Sequence, residues 1–360
     1  MGSYFSKSSR DRSEDSPEHP AFVSLGMVVL DEIRFPNGTI LHDVAGGSGL
    51  YSTLGARMTD TAAARPQTVG CCVLAGSDFP DAVEQAIKSW GIALTIKRDA
   101  SRLSTRGLLT YLGGSFKEKT FEYTTPPLQP TPADLSGSPL LRSKAFHFLA
   151  TPELMDTFAT DLAVLRLEAA VASQSLMVWE PAPASCNPAN QNAHLKIAKC
   201  VDIYSPNHVE FLATFGSGDE PLAEFDRKSI EDKALRVLEC GVGRNGDGAV
   251  VIRCGEHGCV VASSSYSARW FPAFHSSGSS RVVDATGAGN AFLGAFTVIF
   301  GIASDLTEAA IAGSVAASFV IEQVGLPDRT SRHGREMWNG EEFSARVDRF
   351  RTMLKTPVNG

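Results

Sequence analysis

Strand-like and helix-like runs alternate through most of this chain, and that alternation limits the folds open to it. Thr68–Ala75 reads as a strand and Pro80–Trp90 as the helix after it. Leu154–Ser173 has the apolar spacing of an amphipathic helix, and Ser175–Trp179 follows as a strand. Parallel neighbours need a long crossover, usually helical. Repeated strand–helix units therefore predict an α/β fold, a parallel sheet sandwiched by helices. Two stretches break the pattern. Residues 32–42 carry Asn37-Gly38, a favoured pair for a tight hairpin turn. Residues 105–125 hold two extended runs, Thr105–Leu112 and Glu118–Thr124, joined through Gly113-Gly114-Ser115. Both read as hairpins outside the main sheet.

Length and charge narrow the function classes. A chain of 360 residues, 43% hydrophobic, can bury one large α/β core or two small ones. A net charge of −7 argues against general nucleic-acid binding, which selects basic surfaces. The seven cysteines show no C-x-x-C pair and no zinc spacing with histidine, and they fit a reducing, cytoplasmic compartment. No apolar run approaches the ~18 residues of a membrane span, and no secretory signal is expected. Residues 1–20 are polar and charged and read as a disordered arm. Met1-Gly2-Ser3-Tyr4-Phe5-Ser6 fits the pattern for N-myristoylation of Gly2, and fits a chance match as well. Residues 328–360 form a charged tail in which Glu341–Lys355 is a candidate helix.

The densest chemical signal lies late in the chain. A β-like run, Arg281-Val282-Val283, leads into Thr286-Gly287-Ala288-Gly289, and an apolar run from Ala291 to Ile302 follows. This predicts strand, tight turn, helix. Small residues let backbone N–H groups approach an anion, and a helix N-terminus adds partial positive charge. In phosphoryl transfer such a nest stabilises charge on the moving group. The competing reading is a glycine turn that only packs a helix on a sheet.

Residues 282–292, Val-Val-Asp-Ala-Thr-Gly-Ala-Gly-Asn-Ala-Phe, resemble the D-T-x-G-A-G-D-x-F signature of the pfkB (ribokinase-like) carbohydrate kinase family. Other motifs follow the family's order from about Phe22 to Pro327. Gly26 and Asp31 resemble its opening element, whose Asp binds substrate hydroxyls; a turn-side carboxylate is the alternative for Asp31. Ala45-Gly46-Gly47-Ser48-Gly49 resembles its substrate loop, with Tyr51 where the family usually has Asn. Asn207-His208-Val209-Glu210 resembles its N-x-x-E motif, which organises Mg²⁺ through water; the same letters suit a helix-capping box. Arg253-Cys254-Gly255-Glu256-His257-Gly258 resembles a nucleotide-contacting turn, and Arg253 reads either as a phosphate ligand or as a surface charge. Val324-Gly325-Leu326-Pro327 fits the closing segment near adenine. The pattern is most similar to a fungal "maintenance of killer" subgroup.

The resemblance implies a kinase domain over 21–327, with a small β lid from about 32–42 and 105–125, and a homodimer through that lid. It implies ATP, Mg²⁺ and a monovalent cation as cofactors and a small hydroxylated substrate. It places Gly287, Ala288 and Gly289 at the anion hole. Asp284, Thr286, Arg253, Gly255 and Gly258 fall at the nucleotide, Asp31, Gly46, Gly47 and Tyr51 at the substrate, and Asn207 and Glu210 at the metal.

Asn290 stands where the family has its catalytic base. An amide accepts no proton at neutral pH but can orient a hydroxyl. Three readings stay open: a slow ATP-dependent phosphotransferase on a sugar- or nucleoside-like hydroxyl, a nucleotide-binding scaffold without turnover, or proton transfer to another carboxylate such as Asp284 or Asp31. If only a base is missing, Asn290→Asp is expected to raise turnover.

Overall fold

The computed structural model describes residues 19–59, 68–113, 118–216 and 225–355. The first eighteen residues, with Gly2, and part of the Gly113–Ser115 turn lie outside this set. Nine strands form the main sheet: β1 (Phe22–Ser24), β4 (Val69–Gly76), β5 (Ala93–Asp99), β8 (Ala145–Ala150), β9 (Leu176–Pro181), β10 (Ile203–Tyr204), β11 (Ala249–Arg253), β12 (Cys259–Ser263) and β13 (Tyr266–Phe271). Their order is β13-β12-β11-β10-β9-β8-β1-β4-β5. Pairing is parallel from β5 to β11, and the last two strands add antiparallel.

Period-two alternation divides each strand between two cores. On β9, Val178 faces a core with helices α1 (Ser48–Met58), α2 (Asp81–Lys88), α7 (Ala288–Ala303) and α8 (Leu306–Val320). Its neighbours Met177 and Trp179 face the core of α3 (Pro152–Glu168), α4 (Gln191–Ala198), α5 (His208–Phe215) and α6 (Arg227–Glu239). The adjacent Cys71 and Cys72 point into opposite cores for the same reason.

The chain leaves β1 in one direction, to β4 and β5, and returns on the other side through β8, β9, β10 and β11. The switch point falls between β1 and β8. In open α/β sheets ligands bind outside the carboxyl ends of strands at such a point.

A separate four-stranded sheet, β3-β2-β6-β7, stands over this edge, built from β2 (Val29–Arg34), β3 (Ile40–Gly46), β6 (Arg106–Tyr111) and β7 (Lys119–Tyr123). The expected first strand, Phe22–Leu30, is thus two strands. The Gly26 N–H donates to Ser24 Oγ at 3.0 Å, and the chain turns from the main sheet into the lid.

The expected strand at Arg281–Val283 is not one. The N–H groups of Val283 and Asp284 donate to the Ile321 carbonyl beyond α8, at 2.7 and 3.2 Å. The segment is tied to a helix end instead of a sheet neighbour.

Residues 329–355 are packed into the fold. A hairpin, β14 (Arg329–Arg332) with β15 (Arg335–Trp338), leads to α9 (Phe343–Lys355). Trp338, Phe343 and Phe350 join the α7–α8 core. Arg57 of α1 donates to both Glu336 oxygens, at 2.9 and 2.8 Å. No helix among the described residues is long and apolar enough to cross a membrane.

Candidate functional site

The glycine turn before α7 forms an open helix start. Gly287 is its N-cap residue, with φ 77° and no side-chain cap. A Cβ there would overlap the Tyr51 ring, so both the backbone angle and the space require glycine. Among the described residues, the N–H groups of Gly289 and Asn290 have no acceptor. Ala288 opens the helix just before them, its own N–H donating to the Ala285 carbonyl at 3.3 Å. Those of Gly289 and Asn290 are free donors at the positive end of a sixteen-residue helix.

Asp284 shapes the turn. Its Oδ1 accepts from the Thr286 N–H at 3.1 Å and the Thr286 hydroxyl at 2.8 Å. Lys119, on lid strand β7, reaches down to the same oxygen at 2.9 Å and also bonds Thr286. The lid is therefore latched onto the anion turn by a buried carboxylate and a lysine that the sequence reading missed.

Asp31 projects from lid strand β2 and is buried. It lies beside Gly46, whose added Cβ would sit 2.8 Å from Asp31 Oδ2, and beside Gly107, whose Cβ would overlap Oδ1. That Oδ1 has no hydrogen-bond partner. Burial pushes the carboxyl up to about 6. Tyr51 sits between the two loops, its ring against Gly287 and close to Gly46. Gly47 is the N-cap of α1, with φ 90°.

Asn207 and Glu210 form the capping box at the start of α5. The Asn207 side chain accepts from the Glu210 N–H, and Glu210 Oε2 accepts from the Asn207 N–H, each at 2.9 Å. Burial pushes Glu210 upward against the pull of Arg253. Gly255 and Gly258 bracket a 3-10 turn between β11 and β12. Arg253, at the end of β11, is mostly buried and is no surface charge. Its Nη1 lies 2.7 Å from Glu180 Oε1, its Nη2 donates to the Ser205 carbonyl at 2.9 Å, and Glu210 Oε2 is 4.0 Å away. Its Nε is buried without an acceptor. A Cβ on Gly289 would overlap Nη1, so the guanidinium abuts the anion turn.

Asn290 completes the arrangement. Its Nδ2 donates to Glu180 Oε2 at 2.6 Å. The same oxygen takes His147 Nε2 at 3.1 Å, and His147 Nδ1 meets Ser24 Oγ at 2.9 Å. The Ser24–His147 bond spans the switch point between β1 and β8. Burial opposes the Glu180 charge, but Arg253 and His147 outweigh it and hold the carboxyl at about 2. Glu180 and His147 were absent from the sequence reading. The available signal was an acidic residue at the carboxyl end of an otherwise apolar strand, Leu176-Met177-Val178-Trp179-Glu180.

Among the described residues no cluster of three or more His, Cys, Asp or Glu is placed to hold a metal directly. One carboxylate and an amide at the α5 start suit a hydrated hard cation.

Comparison with known proteins agrees with this geometry. Protein MAK32 of Saccharomyces cerevisiae is 31% identical over 350 residues, covering 93% of this chain and 93% of its own. An uncharacterized protein of Schizosaccharomyces pombe is 30% identical over 347 residues, 92% of this chain and 93% of its own. Ribokinase from Giardia lamblia superposes with a TM-score of 0.68 at 17% identity, over 94% of this chain and all of that one. The model of the pfkB family carbohydrate kinases matches residues 50–330. With a lid over the switch point and a glycine turn opening α7, the chain belongs to the pfkB family.

Proposed function

We propose that the protein is an ATP-dependent phosphotransferase acting on a hydroxyl of a sugar- or nucleoside-like small molecule. The observation that carries this reading is the pairing of an open anion turn, Gly287–Asn290, with a buried lid carboxylate, Asp31, whose Oδ1 has no partner, across the Tyr51 ring. An unfilled buried acceptor suits a substrate hydroxyl, because a buried polar group without a partner is unfavourable. The turn suits the moving phosphoryl group, where positioning and charge stabilisation do most of the work.

In this reading Gly287, Ala288 and Gly289 hold the phosphoryl oxygens and Asn290 orients the acceptor hydroxyl. Arg253, Gly255, Gly258, Asp284 and Thr286 border the nucleotide. Gly46, Gly47 and Tyr51 shape the acceptor pocket. Asn207 and Glu210 hold hydrated Mg²⁺ through water, and a monovalent cation lies near Asp284. The ions offset phosphate charge.

The second reading is a nucleotide-binding scaffold without turnover, favoured by the amide at position 290. Product detection with ATP and Mg²⁺ across a broad sugar and nucleoside panel separates the two. Transfer to any acceptor supports the kinase; nucleotide binding with no transfer supports the scaffold.

A homodimer through the lid belongs to the same proposal. Ile40, Leu41, Phe121 and Tyr123 are exposed on lid strands. Sedimentation showing a monomer at micromolar concentration overturns it. The cytoplasmic assignment rests on seven free thiols.

A further inference from the structure

We propose that Glu180 is the proton acceptor of the transfer, and that Arg253 guards it until an anion enters the turn at Gly289. The inference rests on the kinase reading and assigns the base that position 290 lacks.

Asn290 cannot take the proton, but a carboxylate stands one hydrogen bond behind it. The 2.6 Å contact from Nδ2 to Glu180 Oε2 sets the amide so that Oδ1 is its remaining acceptor. The acceptor hydroxyl is thus oriented by Oδ1 beside the carboxylate. Of the two other acids, Asp284 Oδ1 already takes Lys119 and both donors of Thr286, and Asp31 stands on the lid, where the kinase reading has it bind an acceptor hydroxyl.

Each oxygen of Glu180 has a distinct role. Oε2 accepts from Asn290 and from His147 Nε2, and His147 Nδ1 meets the Ser24 hydroxyl on the other side of the ring. Among the described residues, Oε1 meets Arg253 alone, at 2.7 Å. Arg253 also abuts Gly289, and its Nε is buried without an acceptor. A guanidinium with an unfilled buried donor beside an anion nest is set to bind phosphate oxygens. An incoming phosphate competes with Glu180 for it.

When Arg253 turns to the phosphate, Oε1 is left buried without its cation. Burial then dominates and the carboxylate becomes basic. The groups facing Glu180 are Arg253 from β11, His147 from β8 and Asn290 from α7, with Glu210 of α5 farther off. The hydroxyl oxygen attacks the γ-phosphorus of ATP. The bond from that phosphorus to the bridging oxygen breaks, and its electron pair leaves on ADP. The hydroxyl proton passes to Oε1 and later to water.

The test uses Glu180→Gln, which keeps the shape, and the double variant Glu180→Gln/Asn290→Asp, which moves the carboxylate across the same hydrogen bond. Initial rates with the best acceptor of the panel and ATP affinity by calorimetry are both measured. Glu180→Gln is expected to lower kcat about 10²–10⁴-fold, the range a positioned base supplies. It is expected to tighten ATP binding several-fold, because Arg253 loses its competitor. The double variant is expected to regain at least tenfold over Glu180→Gln. A Glu180→Gln enzyme within twofold of wild-type kcat overturns the base, as does a double variant no faster than the single. Unchanged ATP affinity overturns the exchange of Arg253. If wild type itself binds ATP and transfers to nothing, the kinase reading fails and the base with it; the Arg253 exchange is then decided by affinity alone.

Discussion

Asn290 donates its amide hydrogen to Glu180 at 2.6 Å, and this makes an amide the residue that suits position 290. An aspartate there would set two carboxylates against each other in a buried site. With Glu180 in place, Asn290→Asp is expected to lower turnover and not to rescue a missing base. The single variant should lose turnover and about 3 kcal/mol of stability, the size of an unmatched buried charge. Like charges force one group to hold a proton, so the loss should shrink on acidification. Thermal midpoints at pH 5 and pH 8 check this; equal losses at both would exclude carboxylate repulsion as the cause.

Gly287 gives a second prediction. A side chain there meets the Tyr51 ring and strains a φ of 77°. Gly287→Val should abolish the rise in thermal midpoint that ATP with Mg²⁺ produces in wild type, about 2.7 kcal/mol at a hundredfold excess over Kd. Tyr51→Phe keeps the ring and should leave the shift intact. A full shift in Gly287→Val would remove the turn from the nucleotide site.

What could be read in the sequence was contiguous. The anion turn and the capping pair Asn207 and Glu210 are local patterns, and so are the hairpin at Asn37-Gly38 and the strand–helix alternation. Their residues meet because they are close in the chain. Glu180 was invisible because its partner Asn290 lies 110 residues away, and Lys119 because Asp284 lies 165 away. A lone acid in an apolar strand has no periodic signature. Arg281–Val283 misled for the opposite reason: β-branched residues resemble a strand, but the Val282 N–H donates to the Ser279 carbonyl and the Val283 N–H to that of Ile321.

The segment 329–355 packs against the α7–α8 core. Trp338 is 1% exposed and packs with α8 and α9. Trp338→Ala should cost about 3–5 kcal/mol, as large core truncations do. Arg57→Met should also destabilise, since it removes the two-pronged buried donor from Glu336 and leaves it Arg329 alone. Chemical denaturation measures both; a Trp338→Ala loss below 1 kcal/mol would mean the segment is only loosely attached.

Glu210→Gln isolates charge from capping. A glutamine oxygen can still accept from the Asn207 N–H, so the helix start survives and the thermal midpoint should barely move. The variant removes the charge that would organise a hydrated cation. The Mg²⁺ concentration giving half-maximal nucleotide binding should rise several-fold. An unchanged titration would leave Glu210 as a capping residue alone.

Asp31 makes the last prediction, on pH. Its carboxyl is pushed up to about 6 by burial, from a usual value of 3.8. The folded state therefore holds this proton more tightly than the unfolded chain. Between those values stability falls as pH rises, and above pH 6 the ionised, buried group weighs against the fold by about 3 kcal/mol. Asp31→Asn removes the charge while keeping the shape. It should raise the thermal midpoint at pH 8, and the gain should fade as pH drops from 6 toward 3.8. The same variant should weaken acceptor binding, raising KM far more than it lowers kcat, because an ionised Asp31 is the stronger partner for a substrate hydroxyl. A thermal gain that persists unchanged at pH 4 would show that burial of Asp31's charge is not its source. A KM unchanged by the variant would remove Asp31 from the acceptor pocket.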